Sequence, residues 1–188
     1  MSAYQAQDSI TIRPMREADL GEVQAIDRIS FSMPWPSSAY LYELKSNPLS
    51  LLWVAEQALP VETGLTENQR RIAGMIVVWL ILDEAHIATI AVHPELRNRG
   101  IAQNLLATAI KASIHKGMRK ATLEVRANNT IAQRLYRRFR FEVVGQRPRY
   151  YRDNQEDALI MTVDGLGEAY LDWLEREDWR KDTDQGEP

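Results

Sequence analysis

A strand, a short basic turn and a long helix follow one another in the middle of the chain, and this succession most constrains the fold. The apolar run from Ala85 to Val92 predicts a buried strand, and the apolar spacing from Ile101 to about His115 predicts a helix. The turn between them carries Gly100 next to Arg97 and Arg99. A strand that leads into a helix through so short a turn is typical of mixed α/β folds.

The start of this predicted helix offers a place for an anion. The first backbone N–H groups of a helix have no partner within the helix, and the helix dipole adds about half a positive charge there. Gly100 would let a phosphate approach the backbone, since glycine has no Cβ. A simple helix cap remains an equal alternative. The pattern is neither G-x-G-x-x-G nor a P-loop, which disfavours a dinucleotide-binding fold and an NTPase.

Composition narrows the classes of protein to consider. The 188 residues suit one domain of ordinary size, and no apolar stretch of about 18 residues predicts a membrane span. The first eight residues lack the features of a signal peptide. The absence of cysteine excludes disulfides, thiolate metal sites and a cysteine nucleophile. A net charge of −3 gives no general attraction to nucleic acid, and the three histidines lack metal-ligand spacing. We expect a cytoplasmic protein without nucleic acid, membrane or metal as partners.

Hydrophobic periodicity and turn residues predict a mixed α/β order of elements. Predicted strands cover residues 10–13, 51–56, 72–82, 85–92, 121–126, 141–145 with 150–151, and 158–163. Predicted helices cover residues 17–29, 37–47, 101–115, 130–139 and 164–180. Two prolines exclude regular helix over 31–36, and 58–69 is predicted as a hairpin loop. We assign residues 1–164 to one domain and 165–188 to a helical extension with a polar tail. The acidic extension is either a solvated face or a dock for a basic partner.

A second constellation follows the long helix. In the predicted strand 121–126, Glu124 and Arg126 lie on the face opposite Leu123 and Val125. A carboxylate on a central strand is expected to have a function or a charged partner, because burying a charge is costly. Glu124 is therefore either a general base in a cleft or half of a Glu–Arg pair.

The next helix carries a second candidate for chemistry. Asn129 is a natural N-cap for it. Leu135 and Phe139 should pack inward, with Tyr136 at the edge of that stripe. Tyr136 is thus either half-buried packing or a catalytic group.

These motifs together resemble the GNAT superfamily of acetyl-CoA-dependent N-acetyltransferases. Arg97 to Ala102 matches its R-x-x-G-x-G/A motif. The order of Leu123-Glu124-Val125-Arg126, Leu135-Tyr136, Tyr150-Tyr151 and Glu156 to Met161 is similar to the bacterial branch that acetylates the N-terminal alanine of a small-subunit ribosomal protein. Phe31 to Trp35 resembles the Phe-Pro-Trp-Ser loop of that branch. The resemblance covers residues 10 to 163.

The resemblance implies a fold, a cofactor and a set of site residues. The fold would be a central mixed, mostly antiparallel sheet of about seven strands flanked by helices. An N-terminal amine would attack acetyl-CoA directly in a ternary complex, with Glu124 as general base and Tyr136 as general acid. The cofactor would be held by Ile90, Ala91, Val92, Arg97, Asn98, Arg99, Gly100, Ile101, Ala102, Gln103 and Asn129. We further place Trp35, Tyr150 and Tyr151 in the slot for the acceptor peptide.

Several alternatives stay open. A GNAT enzyme that acts on lysine side chains or small amines, or a non-catalytic acyl-CoA-binding module, would share most of these motifs. The basic cluster that includes Arg134, Arg137 and Arg138 is read as a solvated helix face or a contact to CoA phosphates rather than a nucleic-acid surface. Arg140 stands where the family usually has glycine after the helix, and is either a surface residue or a CoA contact. We expect a monomer or a weak dimer.

Overall fold

A computed structural model describes residues 10–59 and 70–180 of the chain. The first nine residues, most of the predicted 58–69 loop and the polar tail from 181 to 188 lie outside these ranges. The described strands and helices follow one another in the order β1 Ile10–Pro14, α1 Leu20–Ser30, α2 Ser37–Lys45, β2 Ser50–Ala58, β3 Arg70–Ile81, β4 Glu84–Val92, α3 Ile101–His115, β5 Lys120–Arg126, α4 Thr130–Arg138, β6 Glu142–Tyr151, β7 Glu156–Val163 and α5 Glu168–Glu175.

The seven described strands form one sheet in the order β1-β2-β3-β4-β5-β7-β6. Every neighbouring pair is antiparallel except β4 and β5, which run parallel and are joined by α3. A helix is the usual crossover between parallel strands. The mixed, mostly antiparallel seven-stranded sheet expected from the sequence is therefore confirmed.

Helices cover the sheet on both faces. On one face, α1 and α2 bury Val23, Ile26 and Tyr40 against β2 and β3. On the other face, α3 and α5 pack over the larger core. The central strand β3 is apolar almost throughout because it is buried on both faces. No helix in the described ranges is both long and apolar enough to cross a membrane.

The end of the chain differs from the expected helix over 164–180. Helix α5 is shorter, and a separate 3-10 turn follows at Asp178–Arg180. The left-handed backbone at Gly165 (φ 72°) and at Glu177 (φ 54°) interrupts the helix on either side. Tyr170, Trp173 and Trp179 are nonetheless buried in the same core cluster as Phe139.

Candidate active site

The cleft of the protein opens where β4 and β5 separate. The two strands pair only over Glu84–His86 and Lys120–Thr122, although both continue for several residues. The register between β3 and β4 shifts by one residue at Ala88. Such a bulge bends the strand that carries it, and here it precedes the segment that leaves β5. The backbone of Ile90 to Val92 stays paired with β3 on one side, and on the side of β5 it borders an open gap.

The basic turn lies at the mouth of this gap. Gly100 takes a left-handed conformation (φ 74°), and the first bond of α3 runs from Asn104 N to Gly100 O at 3.1 Å. The N–H groups of Ile101, Ala102 and Gln103 thus precede the first bonded turn, as an anion cradle requires. Arg97 lies over the end of β4, where its Nε donates to Val92 O at 3.2 Å.

The predicted site residues meet in one cleft of about 1860 Å³. This volume exceeds the roughly 300–1,000 Å³ of most small-molecule pockets, so a cofactor and a peptide end could share it. All predicted site residues except Arg99 line the cleft. The lining members are Trp35, Ile90, Ala91, Val92, Arg97, Asn98, Gly100, Ile101, Ala102, Gln103, Glu124, Asn129, Tyr136, Tyr150 and Tyr151.

Glu124 projects from β5 beside the split and has two charged or polar neighbours. Its Oε1 lies 3.1 Å from Arg147 Nη2 on β6, and its Oε2 lies 3.4 Å from His86 Nε2 on β4. The alternative of a local Glu124–Arg126 pair is not what the structure shows. Arg126 instead pairs with Asp153 at 2.7 Å and with Glu156 at 3.1 Å.

Tyr136 lines the cleft from α4 but is more buried than expected. Tyr136 is 6% exposed, and the centre of its ring lies 5.9 Å from the centre of the Phe141 ring. Burial, with a smaller contribution from nearby Tyr151, raises the pKa of the Tyr136 hydroxyl well above its ordinary value of 10.0. The expectation that Tyr136 lies at the edge of its helix stripe was wrong.

The turn from β5 into α4 is fixed by side chains. Asn129 Oδ1 accepts a hydrogen bond from Ala132 N at 3.1 Å, so the predicted N-cap is confirmed. The buried amide of Gln133 donates to Ala127 O at 2.8 Å and to Arg126 O at 3.2 Å. Gln133 thus gives the Ala127 carbonyl a partner and adds a second donor to the Arg126 carbonyl, which also accepts from Asn129 N at 3.0 Å. Sequence reasoning missed it, because nothing in the pattern marks a glutamine as buried.

Aromatic rings form one wall of the cleft. Trp35 is anchored by its backbone N–H, which donates to the buried Asp27 carboxylate at 2.7 Å. Its ring stacks on Trp79 at 5.9 Å, and Trp79 stacks on His86 at 5.6 Å. Burial raises the pKa of Asp27, while its hydrogen bonds from Tyr40 and Trp35 act in the opposite direction.

Tyr150 and Tyr151 supply the opposite wall, on β6. Tyr150 is 44% exposed at the cleft mouth. The Arg126 guanidinium lies 3.9 Å from the centre of the Tyr151 ring. Burial raises the pKa of Tyr151 to about 12.

A polar bridge joins the two walls. Ser32, in the loop between α1 and α2, donates to Asp153 in the turn between β6 and β7. Arg126 Nη2 donates to both, at 3.1 Å to Ser32 Oγ and 2.7 Å to Asp153 Oδ2. We call Ser32, Arg126 and Asp153 the latch. Sequence reasoning missed the latch and also His86, because their partners are distant in the chain.

The predicted absence of a metal remains a prediction. Within residues 10–59 and 70–180, no group of three or more His, Asp or Glu side chains is placed to hold a metal ion. His93 directly precedes the 3-10 turn Pro94–Leu96. Arg134, Arg137 and Arg138 line the cleft on the side of α4.

Comparison with known proteins identifies what the chain is similar to. Residues 20–141 match the model of the Acetyltransferase (GNAT) family. A Bacillus subtilis protein assigned as a ribosomal protein bS18-alanine N-acetyltransferase is 36% identical over 152 residues, which cover 81% of this chain and 93% of that protein. The Escherichia coli ribosomal protein bS18-alanine N-acetyltransferase is 30% identical over 155 residues, with 81% and 96% coverage.

A solved structure agrees with these sequence relatives. The crystal structure of a ribosomal-protein-alanine N-acetyltransferase from Escherichia coli superposes with a TM-score of 0.69 at 26% identity. The match covers 83% of this chain and 94% of that one.

Proposed function

Because this chain belongs to the GNAT family of acetyltransferases, we propose that its acceptor is the N-terminal residue of a protein. The N-terminal alanine of a small-subunit ribosomal protein is the first candidate, since the relatives at 36% and 30% identity carry that activity in their names. The chain is an acetyl-CoA-dependent N-acetyltransferase. The acceptor is the part of the activity that we propose.

The residues of the cleft fit acetyl-CoA, the donor used by the family. The N–H groups at the start of α3 suit its pyrophosphate, and the open edge of β4 at Ile90 to Val92 suits its amide-containing arm. Gly100 would not be replaced freely there, because its φ of 74° disfavours residues with a Cβ. Bound acetyl-CoA supplies the thioester carbonyl that the amine attacks.

Glu124 is the group that we propose takes the proton from the amine. It is the carboxylate that lines the cleft beside the strand split, and it is 13% exposed. An α-amino group has a pKa of about 7.8, so presenting it neutral at about pH 7.4 costs roughly 0.5 kcal/mol, against roughly 4 kcal/mol for lysine. A single positioned carboxylate therefore suits an N-terminus better than a lysine side chain.

Tyr136 is the proposed donor to the departing sulfur. Its raised pKa keeps the hydroxyl protonated at every physiological pH. It can therefore donate a hydrogen bond to sulfur whenever sulfur is in reach. Complete transfer of the proton costs more than from an exposed tyrosine, because burial disfavours the phenolate.

The bridge between the two walls of the proposed acceptor slot is the observation that best supports an N-terminal acceptor. Trp35 on one wall and Tyr150 with Tyr151 on the other are held together by the latch. A chain end can enter such a slot alone. A lysine in mid-chain would bring flanking backbone on both sides against the bridged loops. The latch therefore favours an N-terminus over an internal side chain.

Mass spectrometry of acetylated peptides tests this proposal. The enzyme is incubated with acetyl-CoA and peptides that differ only in whether the N-terminal alanine or an internal lysine is free. We expect acetylation of the free N-terminus and none of the N-terminally blocked peptide. Acetylation of the blocked peptide at lysine, at an equal or greater rate, would overturn the proposal.

A further inference from the structure

The reaction produces one proton for which the residues above give no route. An acceptor that arrives as an ammonium group loses two protons from nitrogen when the amide forms. One of these ends on the thiol of CoA, and the other has to reach solvent. With Glu124 as base, the carboxylate holds a proton that it must release before the next turnover.

The neighbours of Glu124 differ in whether they can take up that proton. Arg147 cannot, because a guanidinium group has donors and no acceptor. Tyr151, with a pKa raised to about 12, already holds its proton at neutral pH. His86 can, because a neutral imidazole has one nitrogen free to accept. Of the side chains that the described part of the molecule places against Glu124, His86 is thus the suitable acceptor.

The position of His86 suits an outlet rather than a substrate contact. It lies on β4 at the last pair before the strands separate, opposite Thr122. Its side chain is 18% exposed, and it does not line the cleft. The route from Glu124 through His86 therefore leads away from the cleft.

The stack of rings beside His86 fixes its orientation. The planes of His86 and Trp79 are within 12° of parallel, and those of Trp79 and Trp35 within 20°. A ring held in this way keeps Nε2 3.4 Å from Glu124 Oε2. The same stack ends at Trp35, in the acceptor wall.

We propose that His86 is the proton outlet of Glu124. The O–H bond on Glu124 Oε2 breaks, an N–H bond forms on His86 Nε2, and the resulting imidazolium releases a ring proton to water. No oxidant or further reactant is needed. His86 acts through Glu124 and is therefore a positioning residue rather than a catalytic one. This inference rests on the proposed role of Glu124 as the base.

Steady-state kinetics of His86→Gln and His86→Ala test the proposal, with His115→Gln as the matched control. His115 is the exposed last residue of α3. We expect kcat to fall about 10-fold or more in both His86 variants. This expected loss starts below the roughly 10²–10⁴-fold effect that a positioned acid or base typically has. KM for acetyl-CoA should stay within about 2-fold. Added imidazole should restore kcat of His86→Ala and leave the control unchanged.

Two results would overturn the outlet. One is full activity of His86→Gln, since glutamine can hold Glu124 by a hydrogen bond but takes up no proton. The other is a loss of kcat in His86→Ala that imidazole does not restore. The comparison uses whichever amine the wild-type enzyme acetylates, because every amine releases the same proton. Failure to acetylate N-terminal peptides would count against the proposed acceptor only. The role of His86 would still be tested by the kinetics of its variants on the amine that is acetylated.

Discussion

At the scale of single residues, burial decides what Tyr136 can do. The sequence places a tyrosine one residue from a buried stripe, and its hydroxyl would have an ordinary pKa near 10 if it were exposed. In the structure the residue is 6% exposed and its pKa is raised. In the mechanism that we propose, the neutral hydroxyl is the form that acts, as a hydrogen-bond donor to the leaving group.

Replacement of Tyr136 by phenylalanine isolates that hydroxyl. We expect Tyr136→Phe to lower kcat by about 10²-fold with KM for the peptide within about 3-fold, because packing against Phe141 is kept. Tyr170→Phe is the control, since it removes another buried hydroxyl, which donates to Phe139 O at 2.6 Å. The control should cost about 1 kcal/mol of stability and no activity. A kcat within 2-fold of wild type in Tyr136→Phe would exclude its role.

Arg140 shows how a residue can occupy a position that favours glycine. Its φ is 61°, and its guanidinium lies 4.3 Å from the ring centre of Trp173 on α5. The left-handed conformation destabilises the fold by about 1 kcal/mol, and a cation–π contact at an exposed site stabilises it by about 0.5–1 kcal/mol. Of the two roles left open by the sequence, the structure shows a surface contact to α5.

Two substitutions at Arg140 separate these two effects. Arg140→Gly loses the contact but relieves the backbone, so we expect its free energy of unfolding to stay within about 0.5 kcal/mol of wild type. Arg140→Ala loses the contact and keeps the strained backbone, so it should be less stable by about 0.5–1 kcal/mol. Urea denaturation measures both. An alanine variant as stable as the glycine variant would contradict this account.

At the scale of elements, the latch connects the two walls of the cleft that we propose as the acceptor slot. It connects Ser32 and Asp153, which are 121 residues apart, through Arg126 on the strand that carries Glu124. The hydrogen bonds from Ser32 and Arg126 lower the pKa of Asp153. Asp153 thus stays ionised, and the latch stays closed, at neutral pH.

Asp153→Asn weakens the latch without a change of size. We expect KM for the acceptor peptide to rise roughly 10-fold, because the walls are held less well in place, while KM for acetyl-CoA is unchanged. Asp172→Asn, at an exposed position of α5 that does not line the cleft, is the control. An unchanged peptide KM in Asp153→Asn would show that the slot does not depend on the latch.

At the scale of the whole molecule, a buried ion cluster ties the first strand to the sheet and makes stability depend on pH. Arg13 on β1 donates to Asp19 at 2.7 Å and pairs with Glu56 on β2. Desolvation alone would raise the pKa of Asp19, but the hydrogen bonds from Arg13 and Arg16 outweigh it, so this pKa is lowered. The pKa of Glu56 is also lowered, chiefly by its hydrogen bond from Arg13. Both carboxylates therefore favour folding above their ordinary pKa values near 4.

Acid should therefore weaken the fold through this cluster. As the pH falls below about 4.5 and through the lowered pKa values, the contribution of Asp19 and Glu56 is lost. Asp27, whose pKa is raised, acts with the opposite sign and favours folding as it takes up its proton. Arg13→Met should cost about 3 kcal/mol at neutral pH and flatten the acid dependence. Urea midpoints from pH 7 to about 3 measure this; an equally steep loss in the variant would contradict it.

The sequence predicts structural features that depend on residues close together in the chain. It does not predict contacts between residues that are far apart in the chain. Helix α3 has the predicted bounds because its apolar spacing and Gly100 are local signals. The direction of Glu124 follows from strand alternation. The bulge at Ala88, the facing of His86 and Glu124, and the latch depend on registers between strands far apart in sequence. Alternation places Glu124 and Arg126 on one face but does not say which partner each one has.

The central claim is that Glu124 takes the proton from an N-terminal amine. The most direct test is kcat of Glu124→Gln on a peptide with a free N-terminal alanine, measured beside Glu142→Gln, an exposed residue on β6. We predict that Glu124→Gln loses about 10²-fold or more of kcat while KM for acetyl-CoA is unchanged and the control remains active. Full turnover by Glu124→Gln would contradict the claim.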